Sequence, residues 1–206
     1  MRQNVTLVLH DWGGMIGMGW AVRHPERVAR IVVLNTGAFH LPKAKPLPLA
    51  LRLGRNTRFG AWLITRLNAF CRAAAKVGMK RSAMPTAVRE GLMAPYDTPA
   101  HRLAVLKFVQ TIPLKPSDPG YDIVDEVERG LEQFRDRPML ICWGLKDFVF
   151  DHHFLAEWQR RFPQADVKRF EDGGHYILED ATDEIVGDVR RFLAQGAACG
   201  FAPSKR

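Results

Sequence analysis

The passage that most constrains this chain runs from Val5-Thr6-Leu7-Val8-Leu9 through His10-Asp11-Trp12-Gly13-Gly14. An apolar, β-branched run without polar alternation predicts a parallel strand buried on both faces. Small residues directly after it allow a sharp reversal with close backbone approach. Gly13, Gly14, Gly17 and Gly19 then open a helix predicted to close near Arg23-His24-Pro25. Ala29-Arg30-Ile31-Val32-Val33-Leu34 reads as the next strand, completing a right-handed strand–helix–strand unit.

Composition then shifts. Pro42, Pro46 and Pro48 lead into a basic helical block broken near Met84-Pro85 and Ala94-Pro95 and closed by Ile112-Pro113-Leu114-Lys115-Pro116. A helix is expected from Val124 to Phe134, and a buried strand over Pro138-Met139-Leu140-Ile141-Cys142-Trp143-Gly144. Asp151 is placed to cap a helix from His152 to Phe162. Val167 to Phe170 forms a last short strand, Ile177 to Ala194 a last helix, and Gln195 onward a loose tail. The reading is an α/β fold with about four parallel strands. Residues 1–40 and 117–195 form the core, 41–116 a helical cap and 196–206 a tail.

Between His40 and Ile112 stand thirteen lysines and arginines against Glu90 and Asp97, a net of +11 on a chain whose total is +8. The cations alternate with Leu, Phe, Trp and Ala, the pattern of amphipathic helices. That pattern suits a solvated face, an anionic membrane surface, an acidic partner or a fatty substrate better than nucleic acid. No apolar run reaches the roughly 18 residues a spanning helix needs. The short N-terminal run lacks the features of a signal peptide. Cys71, Cys142 and Cys199 are odd in number and widely spaced, which fits free thiols and a cytoplasmic location.

A strand ending in a glycine-rich turn that launches a helix is the geometry of a nucleophile elbow, here centred on Asp11. A dinucleotide-binding turn shares that outline. It wants glycines starting at the strand end and an acid closing the next strand; here His10-Asp11-Trp12 and Asn35 occupy those places. A triad needs an acid and then a histidine, in that order. Asp147 follows a buried strand in Trp143-Gly144-Leu145-Lys146-Asp147, and His175 ends Glu171-Asp172-Gly173-Gly174-His175 after the last strand. Alone, a loop Asp is usually a cap and a loop His means little; all three at strand ends, in order, form a catalytic constellation. Trp12 offers an indole N–H to the pocket. His152-His153 reads as a solvated helix start rather than a metal pair.

His10-Asp11-Trp12-Gly13-Gly14 with Asp147 and His175 resembles the haloalkane dehalogenase and epoxide hydrolase branch of the α/β-hydrolase superfamily. The likeness covers about Val5 to Leu193. It implies an aspartate nucleophile and a helical cap after the strand that follows the elbow. Some members carry the acid where Asn35 stands, which leaves Asp147 in that role. Leu34-Asn35-Thr36, Leu41-Pro42-Lys43-Ala44-Lys45-Pro46-Leu47-Pro48-Leu49, Ala94-Pro95-Tyr96-Asp97 and Ile112-Pro113-Leu114-Lys115-Pro116 look most like the bacterial β-lactone decarboxylases of long-chain olefin biosynthesis. That narrower likeness implies conversion of a cis-3,4-dialkyl β-lactone to a cis-alkene and carbon dioxide. Asp11 would attack and hold a covalent intermediate, Trp12 would contribute donors, and His175 with Asp147 would tune collapse or activate water. It implies no metal and no organic cofactor. It also implies a substrate with long alkyl chains, and docking of the basic cap to other pathway enzymes or a membrane surface.

Two alternatives remain on these residues. An epoxide hydrolase-like member would offer two cap tyrosines, whereas this cap holds Tyr96 and Tyr121 lies beyond it; a dehalogenase needs a second halide donor besides Trp12. The family also has strands and a His-Gly loop ahead of the elbow that supply the other half of the oxyanion hole. Their lack here leads to the expectation of a truncated, inactive or merely partner-binding piece, with an unpaired edge beside the elbow strand and exposed apolar surface.

Overall fold

A computed structural model describes residues 4–198, with side chains to residue 195. Strand β1 (Val5–Asp11) runs directly into helix α1 (Trp12–Ala21), and a 3₁₀ turn at Pro25–Arg27 leads to β2 (Val28–Thr36). Helices α2 (Leu49–Asn56), α3 (Arg58–Leu67), α4 (Ala69–Val77), α5 (Thr86–Met93) and α6 (Leu103–Gln110) form the block after β2. Helix α7 (Tyr121–Gly130) and a 3₁₀ turn (Leu131–Phe134) return to β3 (Met139–Gly144). Then come α8 (His152–Arg161), β4 (Asp166–Phe170), α9 (Ile177–Asp180) and α10 (Thr182–Ala198).

The sheet has the order β1-β2-β3-β4 with every pairing parallel. Alternation along the strands sends side chains into two cores. Leu9, Ile31, Val33, Ile141 and Trp143 meet Met18 of α1, Val127 of α7 and Phe154 and Trp158 of α8. Val32, Leu34, Leu140 and Cys142 meet Ile177, Ile185 and Phe192 of α9 and α10 on the opposite face. Both faces of β2 and β3 are thus buried, which is why those strands read as unbroken apolar runs. The cap helices have their own small core of Ile64, Val105, Leu106 and Val109.

Three expectations need correction. β1 is not buried on both faces: it is the edge strand, α9 and α10 lie over β2 and β3, and Val8 is left 55% exposed. The last helix is not continuous, because it breaks at Ala181 between α9 and α10. The tail does not begin at Gln195, since α10 continues to Ala198; the remainder of the tail and Cys199 lie outside the described residues.

Candidate active site

The candidate site lies at the carboxyl ends of the four strands, where parallel sheets place their chemistry. Asp11 ends β1 with φ 49° and ψ −128°, a conformation that costs a side-chain-bearing residue on the order of 1–3 kcal/mol. The surroundings hold it there. The Thr36 hydroxyl donates to the Asp11 carbonyl, and Gly14 passes so close to β2 that a Cβ would lie 2.8 Å from the Gly37 carbonyl. The Trp12 backbone N–H, at the start of α1, stands beside the Asp11 carboxylate and favours its charged form. The elbow therefore aims the carboxylate and gives it a positive helix end.

His175 joins the other two residues. Its Nδ1 is 2.9 Å from Asp147 Oδ2 and its Nε2 is 4.0 Å from Asp11 Oδ2. Asp147 is wholly buried, whereas the Asp11 side chain keeps 41% of its accessibility. Phe150 stacks on the imidazole at 6.0 Å between centroids, with Phe148 at 6.3 Å and His10 at 5.2 Å. Burial alone would lower the His175 pKa, but the hydrogen bond and charge of Asp147, helped by Asp11, raise it above the ordinary value. Burial raises the Asp11 pKa despite the opposing pull of His175 and His10. Trp12 turns its ring to Phe108 of α6, centroids 5.1 Å apart, so the residue beside Asp11 also touches the helical block after β2.

Several residues that position the site have no local signature. Asn35, considered above as a vacant acid position, is instead a strut. Register slips by one residue between His10 and Asp11, so Asn35 has no partner on β1 and sits at φ 29°. Such a bulge re-aims a side chain. Its Oδ1 accepts from Gly144 N–H at 2.8 Å, and its Nδ2 donates to Gly144 O at 3.0 Å and Asp147 Oδ2 at 3.1 Å. Val149 N–H donates to the other Asp147 oxygen at 2.7 Å. Lys45, from the linker to the cap, is only 8% exposed and donates to Phe148 O and Asp151 Oδ2. It ties the cap entry to the acid loop.

His10 Nε2 lies 2.8 Å from the His175 carbonyl oxygen. Burial pushes the His10 pKa down, so the ring is neutral and can donate to that carbonyl. Asp180 accepts from the N–H groups of Gly174, Lys80 and Arg81, fixing the histidine loop against the segment after α4. Tyr176, next to His175, donates its own N–H to Gly78 O; burial and then the Asp11 charge raise its hydroxyl pKa. Tyr121, by contrast, stacks on His40 at 4.1 Å.

The His152 and His153 rings lie tilted with centroids 4.0 Å apart, and with Asp151 their ligand atoms fall within 4.8 Å of one another. Asp151 is already committed to the Lys45 ammonium at 2.7 Å and to the N-cap of α8 through His153 N–H. A buried ammonium beside the carboxylate repels a second cation, so the cluster fits a helix start better than a metal site.

The model of the α/β-hydrolase fold family matches residues 2–182. The chain is 53% identical over 195 residues to a Shewanella oneidensis protein named cis-3-alkyl-4-alkyloxetan-2-one decarboxylase, covering 95% of this chain and 61% of that protein. A Xanthomonas campestris pv. campestris protein of the same name is 46% identical over 189 residues, covering 92% and 63%. The chain thus spans about three-fifths of the length of these curated relatives. Among solved structures, the haloalkane dehalogenase DatA from Agrobacterium tumefaciens C58 superposes with a TM-score of 0.79 at 21% identity, covering 94% of this chain and 67% of that one. No helix among the described residues is long and apolar enough to cross a membrane. With the elbow, the parallel sheet and the acid and histidine loops in place, the chain belongs to the α/β-hydrolase fold family.

Proposed function

We propose that the site decarboxylates cis-3,4-dialkyl β-lactones to cis-alkenes. The observation that carries this reading is the 53% identity, over nearly the whole chain, to a protein named for that activity. The geometry supports it with a carboxylate nucleophile held at an elbow and a histidine 4.0 Å away.

The chemistry balances without water, cofactor or net proton transfer. Asp11 displaces the ring oxygen from C4 of the lactone, forming an ester at C4 and freeing the former carbonyl carbon as a carboxylate. The C2–C3 bond pair then becomes the C3–C4 π bond, carbon dioxide departs, and the ester C–O bond returns its pair to Asp11. Inversion at C4 followed by anti elimination gives the cis-alkene from the cis-lactone. One negative charge remains in the pocket throughout, first on Asp11, then on the substrate, then on Asp11 again. An imidazolium suits that charge, and Asp147 raises the His175 pKa toward it. His175 acts here as a charge partner rather than as a base for water.

The test is to give the protein and Asp11→Ala a cis-β-lactone, a haloalkane and an epoxide. Expected are alkene and carbon dioxide in equal amounts, with no β-hydroxy acid, and loss of turnover in Asp11→Ala. Release of halide or diol with the lactone untouched overturns the reading.

A further inference from the structure

Between Leu41 and Arg89 the chain holds eleven lysines and arginines and no aspartate or glutamate. Three of these cations are held by carboxylates from outside the segment: Lys45 by Asp151, Arg55 by Asp118, and Arg81 by Asp172 and Glu184. Arg52, Arg58 and Arg66, on α2 and α3, have no carboxylate partner among the described residues.

Their placement on the helices is not scattered. On α3 the residues Arg58, Phe59, Trp62 and Arg66 fall within about 100° around the axis, opposite the buried Gly60 and Ile64. On α2 the exposed Leu49, Arg52 and Leu53 share one side, opposite the buried Gly54. The two helices meet through their glycines: a Cβ on Gly60 would lie 2.7 Å from the Gly54 Cα. Phe59 is 61% exposed and Trp62 48%, their rings stacked at 6.1 Å. An aromatic pair in water beside leucines and unpaired guanidinium groups has a use at a lipid interface. Indole and phenyl rings seat at the headgroup boundary, leucines enter the acyl layer, and guanidinium forks pair with phosphates. A nucleic acid would use the arginines and leave the leucines wet.

We infer that the outer face of α2 and α3 docks on an anionic phospholipid surface. The inference rests on this surface alone and is independent of the reaction at Asp11.

Co-sedimentation with vesicles of phosphatidylcholine, with and without phosphatidylglycerol, tests it. The protein pellets with the anionic vesicles, and added salt releases it. The double variant R58E/R66E weakens binding at least about tenfold, while R190E on α10 leaves it unchanged. Lipids brominated near the headgroup quench part of the tryptophan emission in the wild-type chain, and that part disappears in Trp62→Phe. Each variant is compared only where its far-UV spectrum matches the wild type, and the quenching measurement needs no destabilising change. Equal binding to pure phosphatidylcholine, an equal loss in R190E, no quenching of Trp62, or displacement of vesicles by duplex DNA at lower concentration than by anionic lipid would each overturn the inference.

Discussion

Replacing Asn35 by Asp tests whether the acid loop is organised as described. Asn35 Nδ2 lies 3.1 Å from Asp147 Oδ2, and both side chains are buried. In Asn35→Asp two carboxylates face each other at that distance. At an effective dielectric of about 20 their repulsion, if both were ionised, is about 5 kcal/mol, equivalent to nearly four pKa units. The His175 ring next to Asp147 offsets part of this, leaving a rise of about 2–3 units for the introduced carboxyl. The folded variant then keeps a proton that the unfolded chain releases near pH 4. A carboxyl whose folded pKa is raised loses stability as pH climbs from the unfolded value to the folded one. The slope is about 1.4 kcal/mol per pH unit, reaching about 3–4 kcal/mol by pH 7. Below pH 4 the lost amide bonds to Gly144 O and Phe150 O remain, about 1–2 kcal/mol.

Urea unfolding of wild type, Asn35→Asp and Asn35→Ala across pH 4.5 to 8 reads this directly. Asn35→Ala strands the Gly144 N–H, leaves its C=O with the Asp147 N–H alone and costs about 2–4 kcal/mol, with an offset that stays level over that pH range. The gap between Asn35→Asp and wild type widens with pH instead. A gap for Asn35→Asp that stays flat across that range would refute the placement of Asn35 against Asp147.

Asp11→Asn reduces turnover at least about a thousandfold while raising Tm by about 2–4 °C, after discounting for solvent screening at a partly open carboxylate. The sign follows from burial raising the Asp11 pKa: its ionised form destabilises the fold above that value, and the acid limb of the wild-type rate profile sits above the ordinary carboxylate range. A fall in Tm, read by calorimetry, would show that the ionised carboxylate is not the strained species. Gly14→Ala, whose methyl would strike Thr36 and Gly37, loses about 3 kcal/mol or more in urea unfolding, whereas Gly13→Ala, with nothing within 4 Å, changes stability by less than about 1 kcal/mol.

The elbow was legible because its constraint is local. A strand that must reverse into a helix within two residues needs Gly14 where β2 passes, and the residues demanding this are neighbours in sequence. Asp147 and His175 could be picked out for a similar reason, since each stands in the loop that follows a strand, as Asp11 stands at the end of one. β1, at the edge of the sheet among the described residues, carries the same apolar run as an inner strand, and Val8 differs from Val32 only in what lies above it.

The supports of the site were illegible for another reason. Asn35 acts on Asp147 from 112 residues away, His10 on the His175 carbonyl from 165, and Asp180 on Lys80 from 100. Each bond satisfies a backbone group or carboxylate of a loop, and no periodicity encodes which distant loop will arrive. Yet these are the contacts that decide whether the two ring nitrogens of His175 face Asp147 and Asp11 at the same time. His10 holds the carbonyl of the histidine, Asp180 holds the preceding Gly174 N–H, and Asn35 holds the acid's second oxygen-bearing partner loop through Gly144. One of these contacts, Asp180 on the N–H groups of Lys80 and Arg81, reaches into the helical block itself, beside Tyr176 N–H on Gly78 O, and Lys45 ties the entry of that block to the acid loop. The arrangement of Asp11, Asp147 and His175 is therefore set by the sheet and by the segment after α4 together, so a change at Lys80 or Arg81 reaches His175 through Asp180 just as a change at Asn35 reaches it through Asp147.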